Sequence, residues 1–169
     1  MKSENGILEV YHAGTEKVEA PNCEVGRINL DFGKGFYLTD IYDQALNFAR
    51  AKAMDRKSRG IINVYLLNKA ALLQEAKSLI FDKYDYAWLE FIVACRNGED
   101  VWKEYDYVEG GVADDRVINT VNLYIQGYIS KDRALQNLRY LKSNNQICIL
   151  NQSLLDRHLK FTNSLILSE

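Results

Sequence analysis

The apolar positions Ile7, Leu8, Val10 and Tyr11 in "GILEVYHAG" predict a first strand that ends at Gly14. A polar, irregular stretch from Thr15 to Asn29 follows, and "GFYLT" then reads as a short apolar strand. In "DIYDQALNFARAKAMDRKSRG" the apolar residues Ile41, Ala45, Phe48 and Ala49 fall at i, i+4, i+7 and i+8. That spacing predicts a helix whose inward face carries all four, with Asp40 as N-cap, Asp43 in the first turn and Gly60 at its end. The β-branched run "IINVYLL" predicts a strand, residues 69–76 a short helical turn, and "YAWLEFIVACRNG" a helix stopped at Gly98. "YDYVEGGVADD" reads as a strand running into two glycines and two aspartates. Two helices follow, "VINTVNLYIQGY" and "SKDRALQNLRYL", the second capped by Ser130. The chain closes with the strand "NNQICIL", the short helix "SLLDRHL" and the strand "LKFTNSLIL". No repeat is visible, and strands and helices mix without βαβ regularity, so the expectation is an α+β fold in a single domain over residues 1–169.

Composition narrows this little. A length of 169 residues suits one domain with a real core, and 47% hydrophobic and 26% charged residues are ordinary for a globular chain. A formal net charge of -2 gives no global footprint for nucleic acid or an anionic membrane. Three cysteines (Cys23, Cys95, Cys148) without CxxC spacing and two histidines make no metal-ligand set, so free thiols are expected. No apolar run of membrane-spanning length occurs and "MKSENGILEV" is not a leader peptide, so a cytoplasmic protein without a membrane span is expected. Eleven tyrosines suit strand faces and aromatic-lined clefts.

Four stretches could carry chemistry. "GKGFYLT" is either a tight turn into a core strand or a ligand wall. If Tyr37 faced Phe48 of the next helix across a gap wider than the usual stacking distance, a planar ring would fit between them. In "YHAGT", His12 is either a structural histidine or a hydroxyl-binding imidazole, with a backbone at Ala13 and Gly14 that a ligand could approach closely. Gln146 opens the strand "NNQICIL" and is an edge polar residue or a ligand group. In "VADD", Asp114 and Asp115 are a helix cap or a cleft-facing carboxylate pair. The helix run Arg50, Lys52, Arg56, Lys57 and Arg59 reads as a solvated face or an attractor for pyrophosphate, an acidic partner or nucleic acid. His158 and the cysteines read as structural.

Taken in order, "YHAGT", "DFGKGFYLT", "VADD" and "NNQICIL" resemble the ADP-ribosyltransferase superfamily, in its diphtheria-toxin and poly-ADP-ribose polymerase branch with a histidine, a tyrosine and a glutamate on three strands. "GKGFYLTDIYDQALNFA" is similar to the polymerases' "GKGIYFAD" motif and following helix, and within the superfamily the pattern is similar to a bacterial family of short, largely uncharacterised proteins. The resemblance covers nearly the whole chain and implies a split, mixed sheet with NAD in a central cleft. It implies that His12 bonds the adenosine ribose, that Ala13 or Gly14 clamps the nicotinamide carboxamide, and that Tyr37 and Phe48 sandwich the nicotinamide ring. Gly35 would lie against the dinucleotide, and Gln146 would stand in the catalytic glutamate's place. A neutral glutamine keeps a hydrogen bond and lacks the charge that stabilises an oxocarbenium-like transition state, a deficit of about 10²–10³ in rate that Asp114 or Asp115 could offset. The activity implied is transfer of ADP-ribose from NAD to a protein or nucleic-acid acceptor, in the manner of a toxin or effector with a small neutralising partner. The rivals are an NAD- or ADP-ribose-binding module without catalysis, and NAD hydrolysis with water as acceptor.

Overall fold

The computed structural model describes residues 6–113, 115–139 and 144–168, the side chain of Asp115 excepted. Among them are two sheets. One is wholly antiparallel, with β1 (Ile7–Gly14), β3 (Ile61–Asn68) and β7 (Leu159–Ile166) in the order β1-β3-β7. The other joins β2 (Phe36–Leu38), β6 (Gln146–Ile149), β5 (Tyr107–Gly110) and β4 (Ser78–Ile80) in the order β2-β6-β5-β4, with only β4 and β5 parallel. The fold is therefore α+β, as the mixed element order implies. The sheets touch at one bridge, where Tyr11 and Thr39 exchange two backbone hydrogen bonds of 2.8 and 2.9 Å.

The period-two alternation of the strands divides the core. Val10, Tyr65 and Leu67 of the first sheet pack with Phe36, Leu38, Tyr107, Ile147 and Ile149 of the second, forming a core shared by both. The opposite faces are covered by different helices. On the first sheet Ala13, Ile62 and Val64 meet Ala45 and Ala49 of α1 (Tyr42–Arg56). On the second, Val108 and Cys148 meet α3 (Tyr86–Arg96), α4 (Asp115–Ile125) and α5 (Lys131–Leu138). Two shorter helices, α2 (Lys69–Glu75) and α6 (Gln152–His158), connect strands at the far edge. The helices thus flank a seam that runs along the divergence of β1 from β2.

Three local expectations are corrected. Helix α1 begins one residue late, at Tyr42 with Ile41 in the cap position; Asp40 accepts instead from Asn145 Nδ2 at 3.0 Å, and the Thr39 hydroxyl takes the Ile41 N–H. It ends at Arg56 because Lys57 turns left-handed (φ 49°) and closes the last turn, so Gly60 is not its cap. Phe48 does not share the inward face: only Ala45 and Ala49 are buried, and Phe48 is 52% exposed. Two small residues let the helix lie close on the sheet, and a phenylalanine one turn from Ala45 is carried to the flank. The strand β4 was not legible in the sequence: three residues show no period, and no glycine turn marks its start as Gly33 and Gly35 mark that of β2.

Gly35 fixes how closely β2 approaches β6. A methyl group there would lie 2.6 Å from Cys148 Sγ and 2.7 Å from the Ile149 carbonyl oxygen, one of them backbone that cannot yield. Gly35→Ala is expected to lower the unfolding free energy by about 1–3 kcal/mol. The reading is a lower urea midpoint at unchanged slope; a midpoint equal to the parent's would mean the two strands have room to spare.

Candidate functional site

The seam begins where β1 and β2 part. Backbone groups of an antiparallel strand point alternately to its two neighbours. Since Tyr11 directs its N–H and C=O to β2, Ala13 directs its own the same way, into the opening gap. The Ala13 carbonyl accepts from Lys52 Nζ at 3.0 Å. Gly14 is not imposed by its protein neighbours: an added Cβ would meet Glu16 N and His12 Nε2 at 3.9 Å, ordinary van der Waals contact.

His12 reaches across the gap. Its Nδ1 lies 2.8 Å from the Tyr37 carbonyl oxygen, and its ring stacks on Phe36 at 4.6 Å and 22°. A carbonyl can only accept, so Nδ1 carries the hydrogen and Nε2 keeps its lone pair. Burial pushes the imidazole pKa down to about 4, outweighing the Tyr37 carbonyl, and the Lys52 charge pushes the same way. His12 is thus a neutral ring with a fixed tautomer and one acceptor nitrogen, suited to receive a hydroxyl.

Tyr37 lies on the other face of β2, with Cys148, Phe32 and the cluster under α3–α5. Its hydroxyl donates to the Gly33 carbonyl at 2.6 Å and accepts from Phe32 N–H at 3.0 Å, so the loop ahead of β2 locks the ring in place. Burial raises the phenol pKa far above its ordinary value, and the hydroxyl is fully committed; what Tyr37 can offer a ligand is its ring. Phe48 flanks the seam from α1, with Lys52 Nζ 5.1 Å from its ring centroid. No aromatic ring lies against Tyr37 or Phe48 among the described residues. One lysine therefore ties the Phe48 ring to the Ala13 carbonyl, and one imidazole ties Ala13's neighbour to Tyr37.

Gln146 opens β6 in half-buried surroundings, on the same strand face as Cys148 and so on the side of Tyr37. Its Nε2 donates to Asp31 Oδ2 at 3.4 Å. The other Asp31 oxygen takes Arg96 Nε at 2.8 Å and Nη2 at 2.6 Å, and Oδ2 also accepts the Ala113 N–H at 3.3 Å. A carboxylate can only accept, so the amide nitrogen is held toward Asp31 and Gln146 Oε1 is left facing the other way. The expected helpers, Asp114 and the side chain of Asp115, lie outside the described residues. Asp31 was missed because "DFGKGFYLT" draws attention to its glycines and rings; its signal was an acidic residue heading the same motif. Gly35 lies against the β6 backbone, which accounts for the glycine without a ligand.

A separate cavity of about 830 Å³ opens beyond the ends of β4 and β5, bounded by Asp40, Asp82, Asp85, Glu109, Lys83 and Arg139 among others, and by none of His12, Tyr37, Phe48 or Gln146. Glu109 is spent on Lys69 Nζ at 2.7 Å, the Tyr107 hydroxyl at 2.6 Å and Asn145. Three further carboxylates against two cations make this cavity a poor host for a phosphate, whereas the seam is edged by lysine and arginine. The three cysteines are free and buried, with burial raising Cys23 to about 11 and Cys95 to about 12; His158 is engaged with Glu75 at 2.9 Å. The thiols are free, as expected. Among the described residues no group of three or more histidine, cysteine or acidic side chains could hold a metal ion, and no helix is long and apolar enough to cross a membrane.

The model of the family described as protein of unknown function (DUF3990) matches residues 8–161. The chain belongs to the DUF3990 family. No curated protein and no solved structure matches it. The matched span contains every residue of the seam.

The His12 geometry predicts a pH dependence with a definite sign. Between about 6.5 and about 4 the unfolded chain protonates this histidine while the folded one does not, so the unfolded state binds more protons and stability falls as pH falls through that window. His12→Gln keeps a neutral donor for the Tyr37 carbonyl and removes the titration. Urea unfolding of both proteins should show the parent losing about 2–3 kcal/mol more than the variant across the window. An equal loss in the two would mean that His12 titrates like a free imidazole.

Proposed function

We propose that this DUF3990 protein is an NAD-dependent ADP-ribosyltransferase whose dinucleotide site is the seam between the sheets, within a split-sheet fold of that superfamily. The observation that carries the reading is the meeting, along one line of diverging strands, of an acceptor imidazole (His12 Nε2), a gap-facing backbone amide (Ala13) and a half-exposed ring (Phe48). Each suits one part of NAD. The Ala13 N–H and C=O match the acceptor and donor of a carboxamide; the Tyr37 and Phe48 rings match the two faces of a pyridine; His12 Nε2 accepts from a ribose hydroxyl.

In the proposed chemistry the bond between C1′ of the ribose and the nicotinamide nitrogen breaks, its electron pair passing to the ring and neutralising the pyridinium. The ribosyl cation is stabilised by hydrogen bonding at the 2′-hydroxyl, which Gln146 Oε1 accepts. Asp31 stands behind the amide at 3.4 Å and polarises it, so part of a carboxylate's field reaches the ribose through a neutral group. An acceptor nucleophile on a protein or nucleic acid then bonds C1′ and gives up its proton. The neutrality of Gln146 and the engagement of Asp31 by Arg96 favour one second reading, an NAD- or ADP-ribose-binding module that does not cleave its ligand.

Labelled NAD incubated with the protein and with separate protein and nucleic-acid fractions distinguishes the readings: transferred label supports the transferase, binding without nicotinamide release supports the module, and free ADP-ribose as sole product supports hydrolysis. Phe48→Ala is the discriminating variant, since a residue 52% exposed contributes little to folding. Its NAD affinity is expected to fall about 5- to 10-fold, the loss of one aromatic face at about 1–1.5 kcal/mol, with an unchanged thermal midpoint. Unaltered affinity by calorimetry would remove Phe48 from the site.

A further inference from the structure

Three cations collect at one edge of the seam, and the carboxamide and ring contacts leave them without a role. Lys52 Nζ donates to the Ala13 carbonyl and sits over the Phe48 ring. One turn further along α1, Arg56 Nη1 donates to the Thr15 hydroxyl at 3.4 Å. Arg27, in the loop ahead of β2, is close enough for its charge to act on Lys52. Burial, then repulsion from Arg56 and Arg27, lowers the Lys52 pKa from its ordinary value.

What the three lack is a counter-charge. Among the described residues Lys69 pairs with Glu109, Arg96 with Asp31 and Arg157 with Glu75. Lys52, Arg56 and Arg27 take part in no ion pair there, although the chain carries 23 acidic residues. Like charges drawn together around a carbonyl and a hydroxyl, one of them partly buried, are an unbalanced local excess that a bound anion would relieve. Donors on two segments, N–H from a lysine and from a guanidinium, match the several oxygens of a phosphate better than a single carboxylate. The cluster is compact and the protein is acidic in sum, which fits a small anion and not the long phosphate track of a nucleic acid.

We propose that Lys52, Arg56 and Arg27 form a diphosphate subsite beside Ala13–Thr15, taking the pyrophosphate bridge of a dinucleotide or of ADP-ribose whose ring or sugar ends lie along the seam. It rests on the reading of the seam as the NAD site, and it adds to that reading the groups that hold the charged middle of the ligand. It also separates Lys52 and Arg56 from Arg50, Lys57 and Arg59 of the same run, which have no such convergence and remain a solvated face.

Calorimetric titration with inorganic pyrophosphate and with NAD, at low and at high salt, tests this on the parent, Lys52→Gln, Arg56→Gln and the control Lys160→Gln on β7. The parent is expected to bind pyrophosphate at low salt and to weaken as salt rises, each seam variant to bind it at least about 10-fold less tightly, and the control to match the parent. NAD affinity should fall by a similar factor in the same two variants, with circular dichroism unchanged. Pyrophosphate bound equally by parent and seam variants, or not bound by the parent at low salt, overturns the subsite. So does NAD binding undiminished in Lys52→Gln, which leaves the NAD reading standing. Pyrophosphate binding that depends on Lys52 and Arg56 in a protein that does not bind NAD supports the subsite and removes the dinucleotide from it.

Discussion

Two hydrogen bonds between Tyr11 and Thr39 decide the architecture of the seam. They hold β1 and β2 side by side for one residue pair, so that a single apolar core can run beneath both sheets. Beyond that pair the strands part. Strand amides that would have paired are left facing a gap, and buried amides need partners. The structure meets this need with side chains: the Ala13 carbonyl takes Lys52, and the Tyr37 carbonyl takes His12. A continuous sheet would have consumed the same backbone groups in its ladder. The divergence is therefore what converts ordinary strand backbone into a place where donors and acceptors are presented, and the tautomer of His12 follows from it directly.

Charge then distinguishes the seam from the cavity beyond β4 and β5. The cavity beyond β4 and β5 has volume, but its charged lining has more carboxylates than cations. The seam has cations without counter-charges, apolar rings and an uncharged imidazole. For a phosphorylated ligand the sign of the field is a more discriminating property than volume, because an anion entering an acidic cleft gains little to offset its lost hydration.

Most elements were legible in the sequence because their apolar residues keep a clear period: β1, β3, α3 and α5 fall where spacing, caps and glycine stops put them, with Ser130 capping α5 through the Arg133 N–H and Gly98 (φ 83°) beyond the end of α3. The site was legible as a set of residues and not as a geometry. Spacing along α1 put Phe48 with Ala45 and Ala49, since i+3 and i+4 neighbours share a broad stripe; only packing shows that the stripe in contact with the sheet is two alanines wide. The partners of Gln146 and Lys52 were not legible because they come from residues 115 and 39 positions away, joined through sheet topology that no local pattern encodes. A lysine in a basic run looks solvated until the strand it bonds is known.

The contact between Gln146 and Asp31 bears on why an amide stands at this position. A glutamate in the same place would set two carboxylates at about the distance of the present hydrogen bond, and like charges that close cannot both ionise without cost. One of them would take up a proton, or the Asp31–Arg96 fork that anchors the loop ahead of β2 would have to open. Since that loop also holds the Tyr37 hydroxyl through Phe32 and Gly33, the disturbance would reach the ring wall of the seam. Glutamine avoids the conflict: one end of its amide satisfies Asp31 and the other remains an acceptor. On the proposed reading, the negative charge that such a site requires has moved back one residue, into a position where it also holds the fold, and the group nearest the ribose is the neutral one. Asp31 and Gln146 then act as one unit, with Asp31 a positioning residue and Gln146 the group that meets the sugar.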